Sequence, residues 1–440
     1  MIKLLFCVYH ERDEIFFIKI GNKLNNKKYD IYLLYFIKPS IDKSNLKIIN
    51  FYDYLKFNNI NNIKIKIPKD FLNHEKLSSF KQINQLKIKF TEYENIFYKI
   101  LNEYKFDMVF QELGGFICHL SLFQACKKKK VNHIFIEPSF LKKYCFFLVN
   151  TLKINEAINL NNKLKTLKLL NLYRNLLSKK KYLAVNFKDL HLKKKNMILL
   201  IFSFYTWKSF FTKIKRIILF EWNEFNHLLL HIFDFLNRTL NFLKNSIFKL
   251  EDPKYLNNFI YFPLHVPRDL ALTLRAPSKL DQIESLKKII RSEKQKIIFK
   301  EHPLVFSRYS YNKVTKNFFN ASFVHNAIPT NFILNKCKFV ITINSKAGIE
   351  SLMLNKPVLS LYNNYYCGTG LAFYCKNYKS YKNFKKKLDN FVPKKIKVRN
   401  LILKLVKKCL FFDLYNMEKS SLEKSFKSIL YIILKLSKSS

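Results

Sequence analysis

Lys300-Glu301-His302-Pro303 closes the apolar run Lys296-Ile-Ile-Phe and sets an ammonium, a carboxylate and an imidazole side by side at a strand exit. Pro303 fixes its own φ and biases His302 towards an extended backbone. Lys300 and His302 can then both donate hydrogen bonds to a phosphate; an ordinary polar strand exit is the alternative. A second group, Asn344-Ser345-Lys-Ala-Gly348-Ile-Glu350, follows the apolar run Phe339-Val-Ile-Thr-Ile. Asn344 or Ser345 suits a helix cap, and the amides of the helix start form an anion site. Gly348 admits a ligand or a neighbouring backbone, and Glu350 comes within reach of a ribose hydroxyl or of the cap. A capping box fits poorly, because its glutamate belongs at position 348. A third group, His265, Arg268 and Asp269 with Arg275 nearby, follows Tyr261-Phe-Pro-Leu and is held extended by Pro263 and Pro267. Arginine is scarce beside lysine in this chain, and its planar fork grips phosphate or carboxylate at two points. A structural ion pair is the other reading. In the first half Glu112, beside Gly114 and Gly115, is the acid/base candidate, since a closing cleft raises a carboxyl's pKa. It serves equally as a cap or as a lysine partner. His119 follows it, and Glu137-Pro138-Ser139 leaves the next strand towards the same edge.

These groups need strands that end together. Ile2–Tyr9, Asp30–Phe36, Asp107–Gln111 and His133–Ile136 read as buried strands, and Phe116–Lys129 as the helix of a right-handed parallel β-α-β unit. Residues 1–150 are therefore expected to form a Rossmann-like domain, with Glu112-Leu-Gly-Gly at the ligand-collecting carboxyl edge. Residues 151–250 lose the strand pattern and read as a basic helical connector or insertion. In 251–385 alternation resumes: Phe259–Pro263, Lys296–Lys300, Phe339–Ile343 and Pro357–Leu361 are strands, with helices over Leu280–Ile290 and Ala347–Leu354. That region is expected to be the second Rossmann-like domain, holding the nucleotide, and 386–440 a basic helical tail. Five of the six glycines fall in two clusters, Gly114-Gly115 and Gly348 with Gly368-Thr369-Gly370. The economical architecture is α/β, two such domains facing a cleft with one glycine cluster on each side.

At 440 residues the chain is long enough for both domains and a helical addition. Its formal charge of +48 points to an anionic partner, while the abundance of Lys, Asn, Ile, Phe and Tyr also fits AT-rich coding. The basic residues are dispersed and no nucleic-acid module is recognisable, so nucleic acid is not expected as a partner. Eight cysteines show no CxxC pair and no zinc spacing, and the first apolar run is too short for a signal peptide. Reduced thiols and a cytoplasmic location are the expectation. No run reaches about 18 uncharged apolar residues. Met197–Leu250 mixes Phe, Leu, Ile and Trp with Lys213, Lys215, Arg216, Lys244 and Lys249, which suits helices packed on a domain or lying on an anionic membrane surface. Walker A, GxGxxG, HExxH, GxSxG and DxD are all absent, and neither a cofactor nor a metal is expected.

The order Tyr261-Phe-Pro-Leu-His265, Asp281-Gln282, Lys300-Glu301-His302-Pro303, Asn344-Ser345-x-x-Gly348-x-Glu350 and Lys356-Pro357-Val358 resembles bacterial capsule polysaccharide biosynthesis proteins, the group related to the capsular Kdo transferases. Gln111-Glu112-Leu113-Gly114-Gly115 and Ile136-Glu137-Pro138-Ser139 fit the same resemblance, which covers roughly 105–140 and 255–375. It implies a GT-B-like glycosyltransferase. His302 and Ser345 would bind the donor phosphate, Glu350 would sit near the ribose, and Glu112 would supply the base. Lys300, His302 and Ser345 would together stabilise the departing charge without a metal. Tyr366-Cys367-Gly368-Thr369-Gly370 matches the Gly- and aromatic-rich loop of the Kdo transferases only approximately. The expectation is transfer of a sugar, CMP-linked Kdo or a similar acidic sugar first, to a glycan or glycolipid at the inner face of the cytoplasmic membrane. A CDP-glycerol-type phosphotransferase and a non-catalytic capsule assembly or export protein are the rival readings.

Overall fold

The computed structural model describes residues 1–25, 28–39, 45–56, 66–79, 81–160, 204–219, 224–225, 228–246, 252, 256–266, 268–302, 318–326, 328–376 and 381–438. Pro267 and Pro303 of the sequence motifs lie outside them, as does the stretch 161–203 of the expected connector.

The described residues form two sheets. The first contains β1 (Ile2–Val8), β2 (Tyr29–Tyr35), β3 (Lys47–Asn50), β4 (Met108–Glu112), β5 (Asn132–Pro138), β6 (Tyr144–Val149) and β13 (Cys409–Phe411) in the order β13-β6-β5-β4-β1-β2-β3. Its β5-β4-β1-β2-β3 portion is parallel, and β6 and β13 are added antiparallel. The second contains β7 (Phe259–Pro263), β8 (Ile297–Lys300), β9 (Ala321–Phe323), β10 (Cys337–Thr342), β11 (Val358–Ser360) and β12 (Ala372–Tyr374) in the order β12-β11-β10-β7-β8-β9. Every pairing in it is parallel. Parallel strands covered on both faces need near-continuous apolar sequence. Accordingly β2 and β7 are buried at every position.

In each sheet the strand order reverses once. The first sheet's reversal lies between β1 and β4, and the second sheet's between β7 and β10. At such a point neighbouring loops leave in opposite directions and open a crevice at the carboxyl edge. The two carboxyl edges meet. Arg275 grips Glu137, at the end of β5, through both guanidinium nitrogens at 2.7 and 2.5 Å, and also donates to the Leu152 carbonyl. Lys346 donates to the Pro138 and Ser139 carbonyls at 3.3 and 3.0 Å. His74 Nδ1 lies 3.1 Å from Thr273 Oγ1. A shared apolar layer joins Leu113, Phe140 and Leu141 of the first domain to Ile349, Leu352 and Tyr366 of the second. Two Rossmann-like domains facing one cleft in this way make the architecture GT-B-like.

Residues 386–440, expected as a helical tail, also contain β13, which pairs antiparallel with β6. The helix Lys419–Ser437 then packs on the first domain's helix Glu11–Leu24, burying Ile429, Ile432 and Ile433 with Phe16, Phe17 and Ile20. All eight cysteines are buried and unbridged. Among the described residues no helix is long and apolar enough to cross a membrane.

Candidate functional site

The β7/β10 crevice brings two of the sequence groups together. β7 runs out to His265, whose backbone is clasped by Gln282: its N–H donates to Gln282 Oε1 at 2.7 Å, and Gln282 Nε2 donates to its carbonyl at 3.1 Å. With the backbone fixed, the ring reaches across the crevice, and Nε2 accepts the Asn344 N–H at 3.3 Å. An accepting Nε2 puts the neutral ring's proton on Nδ1, which faces Asp269 Oδ2 at 3.9 Å. Asp269 caps the short helix Leu270–Thr273 by accepting the Ala271 N–H at 2.9 Å. Burial pushes this carboxyl up, but His265, the Ala271 N–H and His302 outweigh it and hold its pKa at about 2.

On the other side of the crevice Ser345 is the cap of the helix Lys346–Met353. Its Oγ accepts the Ala347 N–H at 3.2 Å, and its own N–H donates to Thr342 Oγ1 at 2.9 Å. Of the two caps open in the sequence, Ser345 is the one used. Gly348 serves a different purpose from the one expected. A Cβ there would stand 2.3 Å from Tyr366 Oη, so the glycine makes room for a tyrosine rather than a ligand. The Tyr366 hydroxyl donates to the Ser345 carbonyl at 3.2 Å and ties the loop to the cap. That loop turns at Gly368 and Gly370, with φ of +71° and +70°, a conformation in which side chains are strained. Because Tyr366 is fully buried, Gly348→Ala is expected to cost about 1–3 kcal/mol by overpacking. A denaturant midpoint no lower than that of the parent would refute this.

His302 leaves β8 towards the same crevice. Burial holds its pKa at about 4, with Asp269 opposing and His265, Lys300 and Lys346 reinforcing the shift, so the ring is neutral at neutral pH. Lys300 is turned away from the expected phosphate position: its Nζ donates to the Ile328 carbonyl at 2.8 Å and to Thr330 Oγ1 at 3.0 Å. Burial lowers it to about 8 against the pull of Glu350. Glu350 is buried beneath the helix, and its pKa rises to about 7 through burial, opposed by Lys300 and Lys346. Glu301 is buried as well. Arg268 is committed to an ion pair with Asp234 of the helix Leu228–Ser246, and Arg275 to Glu137. Both arginines thus take the structural reading.

The titrations have opposite signs. Glu350 keeps its proton in the folded state from pH 4.5 to about 7, so its contribution to stability falls as pH rises through that window. His302 stays neutral in the folded state between about 4 and 6.5, where the unfolded chain is protonated, so its contribution rises. Relative to wild type, Glu350→Gln is expected to make the change in stability from pH 4.5 to 6.5 more positive, and His302→Gln to make it less positive. Urea unfolding across that range tests both, and parallel profiles would disprove the assignment.

On the first sheet, Gln111 at the end of β4 is buried. It donates to the His119 carbonyl at 3.0 Å, lies 2.8 Å from His133 Nε2 and accepts from the Tyr9 hydroxyl. Glu112 turns the other way and accepts from the Tyr415 hydroxyl, over whose ring the Arg12 guanidinium sits at 5.3 Å. A Cβ on Gly114 would lie 2.2 Å from His119, and one on Gly115 2.5 Å from Leu270, so neighbouring side chains occupy both spaces. Sequence reasoning passed over Tyr9, His10, His74 and Tyr415. His10 carried a signal, since it follows the first apolar strand directly. Tyr415 carried none, because nothing local tells that residues 409–437 return to this sheet.

Residues 243–395, containing the whole β7/β10 crevice, match the family model described as "Capsule polysaccharide biosynthesis protein". Protein FixF of Sinorhizobium fredii is 30% identical over 117 residues, covering 24% of this chain and 27% of that protein, so the chain matches only about a quarter of its curated relative's length. Among solved structures, similarity is found to KpsC of Thermosulfurimonas dismutans, a beta Kdo 2,4 transferase, at 12% identity and TM-score 0.35, covering 68% of this chain and 79% of that one. The UDP-GlcNAc 2-epimerase of Methanocaldococcus jannaschii is similar at 13% identity and TM-score 0.31, covering 99% of both chains. What the chain shares with the capsule polysaccharide biosynthesis protein family is thus a match over residues 243–395.

Proposed function

We propose that this protein is a glycosyltransferase of surface-polysaccharide synthesis, drawing its sugar from a nucleotide donor whose phosphate lies in the β7/β10 crevice. The observation that carries the reading is the His265–Asn344 contact across the crevice, beside a serine-capped helix start and the neutral His302. Helix-start amides favour an anion, and a neutral imidazole can donate one hydrogen bond to it. Phosphate charge appearing as the donor bond breaks would also raise the proton affinity of His302, strengthening that bond when it is needed. CMP linked to an acidic sugar is the first donor to test, on the resemblance of the motif order.

A nucleotide that binds only the folded state raises the melting temperature. CMP, CDP, UDP and GDP are to be screened this way, followed by turnover of their sugars. A rise with CMP and turnover of a CMP-linked acidic sugar is expected. Turnover of CDP-glycerol alone would assign the chain to glycerophosphotransfer, and no response to any nucleotide would leave a non-catalytic assembly protein.

The place of work that fits is an anionic membrane surface. On the helix Leu228–Ser246, Leu229, Phe233, Leu236, Leu240 and Leu243 repeat at spacings of four and three and stay exposed, from 50% at Leu236 to 65% at Leu229. Trp207, Phe211 and Ile218 of the helix Phe204–Ile218 are exposed likewise, and Lys215 and Lys244 lie exposed on the same two helices. An apolar stripe with cationic neighbours suits an anionic interface. Leu236→Glu with Leu240→Glu is expected to abolish co-sedimentation with phosphatidylglycerol vesicles. Equal binding to neutral vesicles, or a parent that binds neither, would remove the membrane from this account.

A further inference from the structure

Resting on the transferase reading, we infer that Phe225 is the platform for the acceptor glycan: one acceptor sugar lies with its apolar C–H face on this phenyl ring, over the β1/β4 crevice of the first sheet. The crevice follows from the strand order, and both strands that flank it lead into the site. Tyr9 and His10 come directly after β1, and Phe116 is the N-cap residue of the helix Ile117–Lys129 that follows β4.

The aromatic side chains at this edge form two tiers. In the lower tier Tyr9 is stacked with Phe36 and with His119, ring centroids 4.6 and 3.8 Å apart, and all three are buried. Ring faces cover one another there, as in any core. In the upper tier Phe225 meets Tyr9 and Phe116 edge-to-face at 5.8 and 5.1 Å and lies tilted to His10 at 5.4 Å. Phe225 and Phe116 are half-buried, and His10 is exposed. Aromatic rings open on one side, with a few polar groups beside them at a strand-order reversal, are the lining of a ligand site. A sugar suits this lining. Its C–H groups meet the negative face of a phenyl ring, and its hydroxyls meet the imidazole of His10 at the platform's edge. Beyond Phe116 the wall continues to His74, at 4.6 Å, whose Nδ1 lies 3.1 Å from Thr273 Oγ1 of the second domain. The platform thus runs up to the joint between the domains.

Phe225 lies outside the first domain's own run of strands and helices. It stands in the chain between the helices Phe204–Ile218 and Leu228–Ser246, and its neighbour Glu224 fastens it to the first domain. The Glu224 N–H donates to the Phe36 carbonyl at 3.3 Å, and its buried carboxylate accepts from the Tyr93 hydroxyl at 2.6 Å and pairs with Lys89. Lys89 pairs also with Glu75 at 2.7 Å, and the other oxygen of Glu75 accepts the Ile117 N–H at 3.1 Å. One lysine therefore fixes the residue next to each phenyl ring: Glu224 beside Phe225, and Ile117 beside Phe116. Placing two buried carboxylates on one lysine carries a desolvation cost that apolar packing would avoid. What the network supplies in return is the position of the two rings.

The test compares three variants of the full chain. Phe225→Leu keeps apolar bulk without the ring, Phe225→Tyr keeps the ring, and Phe225→Ala removes both. The acceptor probe is the set of oligosaccharides released by mild acid from the surface polysaccharide of the cell that makes this protein. Their binding is read by saturation-transfer NMR without donor, and their turnover with the nucleotide sugar found active in the screen. The expected result is an acceptor KM raised about 10-fold in Phe225→Leu and Phe225→Ala, with NMR-detected binding weakened in step. Phe225→Tyr should stay near the parent, and the donor KM and the nucleotide-induced rise in melting temperature should not change. A parental acceptor KM in Phe225→Leu overturns the platform and leaves the transferase reading standing. Failure of the parent to bind the oligosaccharides also overturns it, as does loss of co-sedimentation with phosphatidylglycerol vesicles in Phe225→Leu, which would make the ring a membrane contact. Ring-dependent binding without turnover of any nucleotide sugar would uphold the platform and reject the transferase reading.

Discussion

Replacing His302 by alanine is expected to lower turnover by about 10²- to 10³-fold, the usual effect of deleting one preorganised donor to a developing negative charge. The apo protein should melt within a few degrees of the parent. Its ring is held neutral in the crevice, with Asp269, His265, Lys300 and Lys346 as electrostatic neighbours. At neutral pH the ring is uncharged in both the folded and the unfolded chain, so its loss is expected to fall more on the reaction than on folding. His302→Gln, which retains an N–H, should recover part of the rate. The companion His265→Ala should behave differently: it removes the acceptor of the Asn344 N–H and so loosens the helix start itself. Nucleotide-induced stabilisation should shrink with it. Unchanged turnover in His302→Ala would be incompatible with a phosphate in this crevice.

Arg275→Ala is expected to destabilise the protein by about 3–5 kcal/mol, because removing one partner of a buried ion pair leaves the other uncompensated. Here the stranded group is Glu137, and both side chains are at most 16% exposed. The Leu152 carbonyl loses its donor as well. Arg275→Lys should recover little, since an ammonium cannot reproduce the two-point grip on a carboxylate. Replacing both partners by apolar residues of similar size should restore part of the loss. Denaturant unfolding of the single and double variants measures this, and a loss below about 1 kcal/mol, the range of an exposed pair, would contradict it.

The two sheets were legible in the sequence where burial on both faces forced continuous apolar runs. β1, β2, β4, β7, β8, β10 and β11 all fall on runs that periodicity alone identifies. The helices Ile117–Lys129, Gln282–Arg291 and Lys346–Met353 follow from the spacing between those runs. β6 and β13 did not, for a physical reason. β6 is apolar but antiparallel, and β13 has three residues whose partner among the described residues is more than 250 positions away, so its conformation is decided by β6 and not by its own propensity. The site divides the same way. His265, His302, Ser345 and Asn344 were visible because strand exits concentrate ligands. Lys300, Arg268 and Gly348 were visible as residue types, but their partners, the Ile328 carbonyl, Asp234 and Tyr366, come from distant segments. A sequence shows which groups can act; which of them a neighbour has already engaged is settled only by the fold.

The return of residues 409–437 to the first sheet bears on how the protein is made. During synthesis the first domain emerges early, yet its edge strand β13 and the helix covering Phe16, Phe17 and Ile20 emerge only after the whole second domain. Until then the nascent domain carries an open sheet edge at β6 and an uncovered aromatic face, the two features that invite mispairing with other chains. Completion of the first domain is thus a late event that waits for synthesis of the second, and the two domains mature together rather than in turn.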